Sequence, residues 1–377
     1  MKKIVSFMLI LSLTFIYVPA YAGVETTAKS AILMEAQTGE VLLEKEKDAR
    51  LPIASVTKIM TMLLIMEEIS SGRMTYADEV TVSEYAMSMG GSTMFLEAGE
   101  VLSVHDMLKG IAVASANDGC VAMAEHISGS VDAFVARMNE RAKELGMENT
   151  SFINTNGLDA EGHYSSAYDV AVMARELIKH EKIFEYTTIW TDSLRDGKFA
   201  LANTNRLVRF YRGATGLKTG STDNAGCCLC ATAERDGVSL IAVVLGSPTS
   251  KDRFSDATKL LDFGFANYSV AHPISKGEEV GEVKVNKGVK DIVKAVAKDE
   301  FEKVIKKGEG DKVEMRLTLA EEITAPVQEG ELVGRAEFFI DNESIGSVDV
   351  VCLEAVEKMS LLQMINEILR RIAGIKL

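Results

Sequence analysis

The apolar residues of this 377-residue chain change their spacing in a set order, and that order restricts the fold more than composition does. Between Lys29 and Glu44 two short apolar runs flank Gln37-Thr38-Gly39, which predicts two strands around a turn. From Ser55 the spacing becomes helical, with Ile59, Met60, Leu63 and Leu64 on one side. Further helices are predicted over Val104 to Val113, Cys120 to Ile127, Asp132 to Leu145 and Ser166 to His180. After Gly213 strand character returns in Ala225 to Ala233 and Val238 to Gly246, around the turn Arg235-Asp236-Gly237, and a helix follows over Asp252 to Phe263. Strands at the two ends of one stretch, with helices between, predict an α+β domain: an antiparallel sheet covered by helices.

The length suits about two domains. From about His272 the residues alternate apolar and polar, with Val313, Met315, Leu317 and Leu319 as an apolar set at period two. This predicts a small all-β domain. The expected division is a leader over 1–22, a catalytic domain over 23–268, the β domain over 269–356 and a terminal segment over 357–377. The leader reading rests on Lys2 and Lys3, the apolar run Ile4 to Val18 and the small-x-small site Ala20-Tyr21-Ala22. It predicts export to the outer face of the cytoplasmic membrane. In the terminal segment Leu361, Ile365, Ile368, Ile372 and Ile375 share one helical face, with Arg370, Arg371 and Lys376 near the end. An amphipathic helix of this kind predicts peripheral attachment to a membrane surface, against the alternative of a helix docked on protein. A formal net charge of −14 argues against nucleic acid as a partner. Cys120, Cys227, Cys228, Cys230 and Cys352 show no disulfide-scaffold spacing, and the Cys227-Cys228-Leu229-Cys230 run lacks the partners of a zinc site, so it reads as small apolar residues in a buried strand.

Three short motifs carry chemistry. Ser55-Val56-Thr57-Lys58 is S-x-x-K, and residues i and i+3 share a helical face, so the Lys58 amine reaches the Ser55 hydroxyl. Serine needs a base to become a nucleophile, and lysine is a base only when neutral. A lysine in a first helical turn, where the dipole disfavours a cation, is a local electrostatic cost consistent with that role. Ser115-Ala116-Asn117 is S-x-N. Ser115 is placed to relay a proton to a leaving group, and the Asn117 amide to orient Lys58 and bind a substrate carbonyl. Lys218-Thr219-Gly220 is K-T-G. Lys218 supplies a second cation to depress the Lys58 pKa, Thr219 a hydroxyl for a carboxylate, and Gly220 an unobstructed strand edge for an extended peptide. In this order and spacing the three are the known signature of class A β-lactamases and penicillin-binding proteins.

The chain resembles the low-molecular-weight penicillin-binding proteins, the D-alanyl-D-alanine carboxypeptidases. The blocks "LPIASVTKIMT", "SANDGCVAMAEHISGS", "GLKTGSTDNAGCCLCATAERDG" and "IAVVLGSPTSKDRFSDATKLLDFGF" carry the resemblance, in order along essentially the whole mature chain. It implies the penicillin-binding/β-lactamase-like transpeptidase fold. It also implies an acyl-enzyme on Ser55 formed from a peptidoglycan stem peptide ending in D-Ala-D-Ala, with β-lactams as covalent inhibitors and no metal or organic cofactor. Backbone N–H groups of Ser55 and Ser221 are the implied oxyanion hole, and Thr219 and Arg253 the implied holders of the terminal carboxylate. His163 and Asp169 read as structural. A class A β-lactamase would need a glutamate in an E-x-x-x-N block between Asn117 and Lys218, and there is none. A DD-endopeptidase and a penicillin sensor without turnover remain as alternatives.

Overall fold

A computed structural model describes residues 24–365. The leader and most of the terminal amphipathic pattern, from Ile368 onward, lie outside the described residues.

The catalytic region is built on one five-stranded antiparallel sheet. Its elements are β1 (Ser30–Glu35), β2 (Val41–Lys45), α1 (Lys58–Ser70), α2 (Asn117–Ser128), α3 (Val131–Glu144), α4 (Ala167–Ile178), β3 (Ala214–Thr222), β4 (Gly226–Arg235), β5 (Val238–Ser247) and α5 (Ser250–Asn267). The strand order is β2-β1-β5-β4-β3, so the first strands pair with the last and β3 is an edge. The long strands are apolar on both faces because both are covered. Ile32, Met34, Ile241 and Val243 join the core shared with the central helices. Ala31, Leu33, Leu240 and Ala242 face the other way, into the core shared with α5. α1 is apolar nearly all round because it is buried nearly all round, from Lys58 to Met66. Cys227, Cys228 and Cys230 lie on β4, where Cys228 and Cys230 fill the helix-side core, while Cys120 lies on α2, and all five thiols are free.

Two predicted helices differ from expectation at the ends that matter. The α-helix does not open at Ser55. Ala54–Thr57 is a tight 3-10 turn, and α1 starts at Lys58 with no side-chain cap. The Val104 helix becomes a π-helical turn over Gly110–Ala114, which stops at Ser115 in the left-handed region (φ 63°). Both departures put a motif serine at a break in regular structure, where its hydroxyl is not spent on capping.

The C-terminal region comprises β6 (Tyr268–Ile274), β7 (Glu279–Asn286), β8 (Ile292–Ala297), β9 (Phe301–Lys306), β10 (Glu314–Leu319), β11 (Glu322–Thr324), β12 (Leu332–Ile340) and β13 (Glu343–Cys352). Six strands form a sheet in the order β10-β12-β13-β8-β7-β11, and β6 pairs with β9. Its own core holds Val283, Val293, Phe338 and Val350, with Phe301 stacked on Phe338 at 4.6 Å. The alternation in β10 is a strand, as expected, but its apolar face is open. β10 is an edge strand, and Met315 and Leu317 are 46% and 37% exposed. Beyond it, Ser360 and Gln363 form a reciprocal capping box, and a helix begins with Leu361 and Leu362 exposed. Among the described residues no helix is long and apolar enough to cross a membrane.

Candidate active site

Ser55 lies in the 3-10 turn between the sheet and α1. In such a turn residues i and i+3 eclipse, which stacks Lys58 on Ser55. The Lys58 amine is 2.9 Å from Ser55 Oγ, 2.7 Å from Asn117 Oδ1 and 2.7 Å from the Asn156 carbonyl. Asn117 Nδ2 donates to the Gly90 carbonyl, which fixes the amide orientation and leaves Oδ1 toward Lys58. Two of the three neighbours of Lys58 are therefore acceptors only. A neutral amine has two N–H bonds and one lone pair. Those acceptors take the N–H bonds, and the lone pair is left facing the Ser55 hydroxyl.

Burial makes the charged form easier to lose. Lys58 is fully buried, and desolvation lowers its pKa from 10.5 to about 8, against the opposing pull of Cys120 and Asp118. Lys58 and Lys218 are close enough for their charges to act on each other. Lys218 is itself lowered well below its ordinary value, first by burial and then by the charge of Lys58. Its amine donates to the Thr219 carbonyl at 3.0 Å.

β3 is pressed against the nucleophile turn. A Cβ added to Gly220 would sit 2.7 Å from the Ile53 carbonyl and 2.9 Å from Ser55 N, so only glycine fits. The glycine is needed for the protein's own turn, rather than for the approach of a peptide as the motif alone suggested. Ser221, next along, is exposed at the strand edge. Thr219 Oγ1 donates to Thr204 Oγ1 at 2.7 Å. Arg253, in the first turn of α5, is buried and donates from Nη1 to the Gly220 carbonyl at 2.9 Å, while its Nε has no partner among the described residues. Ser115 is buried, and its hydroxyl makes no hydrogen bond among the described residues.

With this geometry in place, the comparisons with known proteins divide the chain into the same two regions as its cores do. Residues 18–249 match the family model described as D-alanyl-D-alanine carboxypeptidase, peptidase family S11. The chain belongs to the D-alanyl-D-alanine carboxypeptidase family. Residues 268–358 match the C-terminal domain of penicillin-binding protein 5. The D-alanyl-D-alanine carboxypeptidase DacF of Bacillus subtilis is 46% identical over 372 residues, 95% of each chain. The solved structure of penicillin-binding protein 5 from Haemophilus influenzae is 33% identical with a TM-score of 0.74, covering 89% of this chain and 98% of that one. A mutant DD-transpeptidase of Streptomyces K15, 29% identical with a TM-score of 0.59, is covered over 99% of its length but spans 64% of this chain.

In this member of the carboxypeptidase family the three motifs converge beside β3, with Lys58 between Ser55 and Asn117 and Gly220 against the nucleophile turn. Sequence reasoning missed the residues that hold them there. Asn156 acts through its carbonyl, which any residue type possesses. Gly157 (φ 86°) lies so close to the nucleophile turn that a Cβ would stand 1.9 Å from the Ala54 carbonyl. The glycine in "NTNGL" was the available signal. Asp118 is buried and its carboxylate accepts from the N–H groups of Met94, Leu96 and Gly119, which pins the Gly90–Leu96 segment over Asn117. His163, read as structural, braces the nucleophile turn itself. Its Nδ1 accepts from Ile153 N, so Nε2 carries the proton and donates to Thr57 Oγ1, which donates to the Ala54 carbonyl. Asp169 fastens the Asn149–Thr150 turn to α4.

Proposed function

We propose that the enzyme removes the terminal D-alanine from peptidoglycan stem peptides, with Ser55 as nucleophile and Lys58 as base. The observation that carries this reading is the three-way setting of Lys58, which leaves its lone pair aimed at Ser55 Oγ. Ser55 Oγ attacks the carbonyl between the two D-alanines, and its proton passes to Lys58. The oxyanion is taken by the N–H groups of Ser55 and Ser221. The C–N bond then breaks. The departing amine receives a proton through Ser115, and D-alanine leaves. Water attacks the ester, and Ser55 is regenerated. The substrate's carboxylate sits at Thr219, with Arg253 supplying positive charge from behind Gly220. Asn117 keeps one amide N–H for the substrate carbonyl, the other being held by Gly90. A β-lactam acylates Ser55 by the same route.

The chain is exported and works outside the cytoplasmic membrane. The basic and apolar start with its Ala20-Tyr21-Ala22 site supports export. The exposed Leu361 and Leu362, continuing into an amphipathic pattern, support peripheral attachment.

The test is release of free D-alanine from a diacyl-Lys-D-Ala-D-Ala peptide by the purified mature chain, beside Ser55→Ala. Sustained release by the wild type alone is expected. A folded wild type that takes up penicillin covalently but stops after one equivalent of D-alanine would be a sensor. One that opens cross-linked dimers and leaves the tripeptide untouched would be an endopeptidase.

A further inference from the structure

We propose that Asp159 selects a cationic side chain on the residue immediately before the two D-alanines. The inference rests on the carboxypeptidase reading above and deepens it.

The direction of the bound peptide follows from the site. Its terminal carboxylate lies at Thr219 and its scissile carbonyl at the Ser221 N–H. The peptide therefore runs antiparallel to β3, and its preceding residue extends past Ser221 toward Thr222. A strand advances about 3.3 Å per residue, so the next side chain upstream falls beside Thr222 and Asp223.

Asp159 stands at that point. Thr222 Oγ1 accepts from Ala225 N at 3.1 Å, which commits its own proton to Asp159 Oδ1 at 2.7 Å. The Asp159 carboxylate is exposed, Oδ2 has no partner, and no cation pairs with it among the described residues. Its loop is set before substrate arrives. Asn154 Oδ1 accepts from Gly157 N, Asn154 Nδ2 donates to the Leu158 carbonyl, and Asn156 Oδ1 accepts from Leu158 N. The same loop supplies the Asn156 carbonyl to Lys58 and rests Gly157 on the nucleophile turn. One rigid segment thus ties the base to a negative charge placed upstream of the scissile bond. A side-chain ammonium at that position complements it.

Two peptides separate charge selection from simple stapling of Thr222: N-acetyl-L-lysyl-D-alanyl-D-alanine with a free side-chain amine, and its norleucine counterpart. The wild type is expected to favour the lysyl peptide in kcat/KM by roughly fivefold, the scale of a semi-exposed ion pair. Asp159→Asn keeps an acceptor for Thr222 and removes the charge. It should bring the ratio to about one, the larger loss falling on the lysyl peptide. An equal ratio in both proteins, or an equal loss on both peptides, would overturn the inference. Turnover of both peptides without preference would sink this inference alone, whereas no turnover of either by the folded wild type would sink the carboxypeptidase reading with it.

Discussion

Lys58 is the residue on which the chemistry turns, and its protonation sets the pH dependence. Only the neutral amine accepts a proton from Ser55, and burial brings its pKa to about 8. Acylation by benzylpenicillin should therefore rise about tenfold per pH unit below pH 8 and level off above it. A flat profile between pH 6 and 9 would remove Lys58 from the role of base. Gly220 gives a second residue-scale prediction. Gly220→Ala forces a Cβ against the Ile53 carbonyl and Ser55 N, so β3 must retreat from the nucleophile. Acylation should fall by roughly a hundredfold while the variant stays folded, because about 1 Å of displacement is enough to lose that much. The reactive residues were legible in the sequence because their chemistry depends on side-chain type. Asn156 was not, since a carbonyl belongs to every residue type, and Gly157 offered only a glycine far from the motifs, with nothing in the sequence to tie it to the nucleophile turn.

The elements around the site are interrupted where it needs them to be. Ala54 (φ 48°) and Ser115 (φ 63°) hold left-handed conformations that cost of order 1 kcal/mol or more each, and neighbours hold them there. For Ala54 the brace is the chain from Ile153 N through His163 and Thr57. Burial lowers the His163 pKa from 6.5 to about 4. The folded state thus refuses a proton that the unfolded chain accepts, and stability falls as pH drops from 6.5 through about 4. The amount is about 3 kcal/mol, and the loss of stability between pH 7 and pH 4, read by urea unfolding, should be smaller by that much in His163→Gln than in the wild type. For the segment over Asn117 the brace is Asp118. Asp118→Ala should leave buried N–H groups unpaired, costing about 2–3 kcal/mol and slowing acylation, which thermal unfolding and penicillin labelling would register. Periodicity located most helices and strands to within a few residues. It misplaced the start at Ser55 and missed the change of helix type ahead of Ser115, because a 3-10 or π turn keeps nearly helical spacing. It also could not say that β10 leaves Met315 and Leu317 uncovered, since alternation fixes a face and not what packs on it.

The whole molecule has separate cores before and after the end of α5. The Streptomyces K15 relative is matched over 99% of its length by only 64% of this chain. A region with its own core can fold alone. A chain ending after Asn267 should therefore fold and release D-alanine from a soluble peptide at a rate within about twofold of the full chain. Aggregation of that shorter chain would show instead that the β region shields the catalytic one. The strand order has a consequence in time. Ser30–Glu35 finds its central partner only in Val238–Ser247, and the edge that carries Ser221 is docked through Gly226–Arg235. A growing chain that has passed Ser55, and even Lys218, still has no sheet to hold them together. The nucleophile turn and the strand that carries Ser221 meet last, so an unfinished chain holds every motif and cuts nothing.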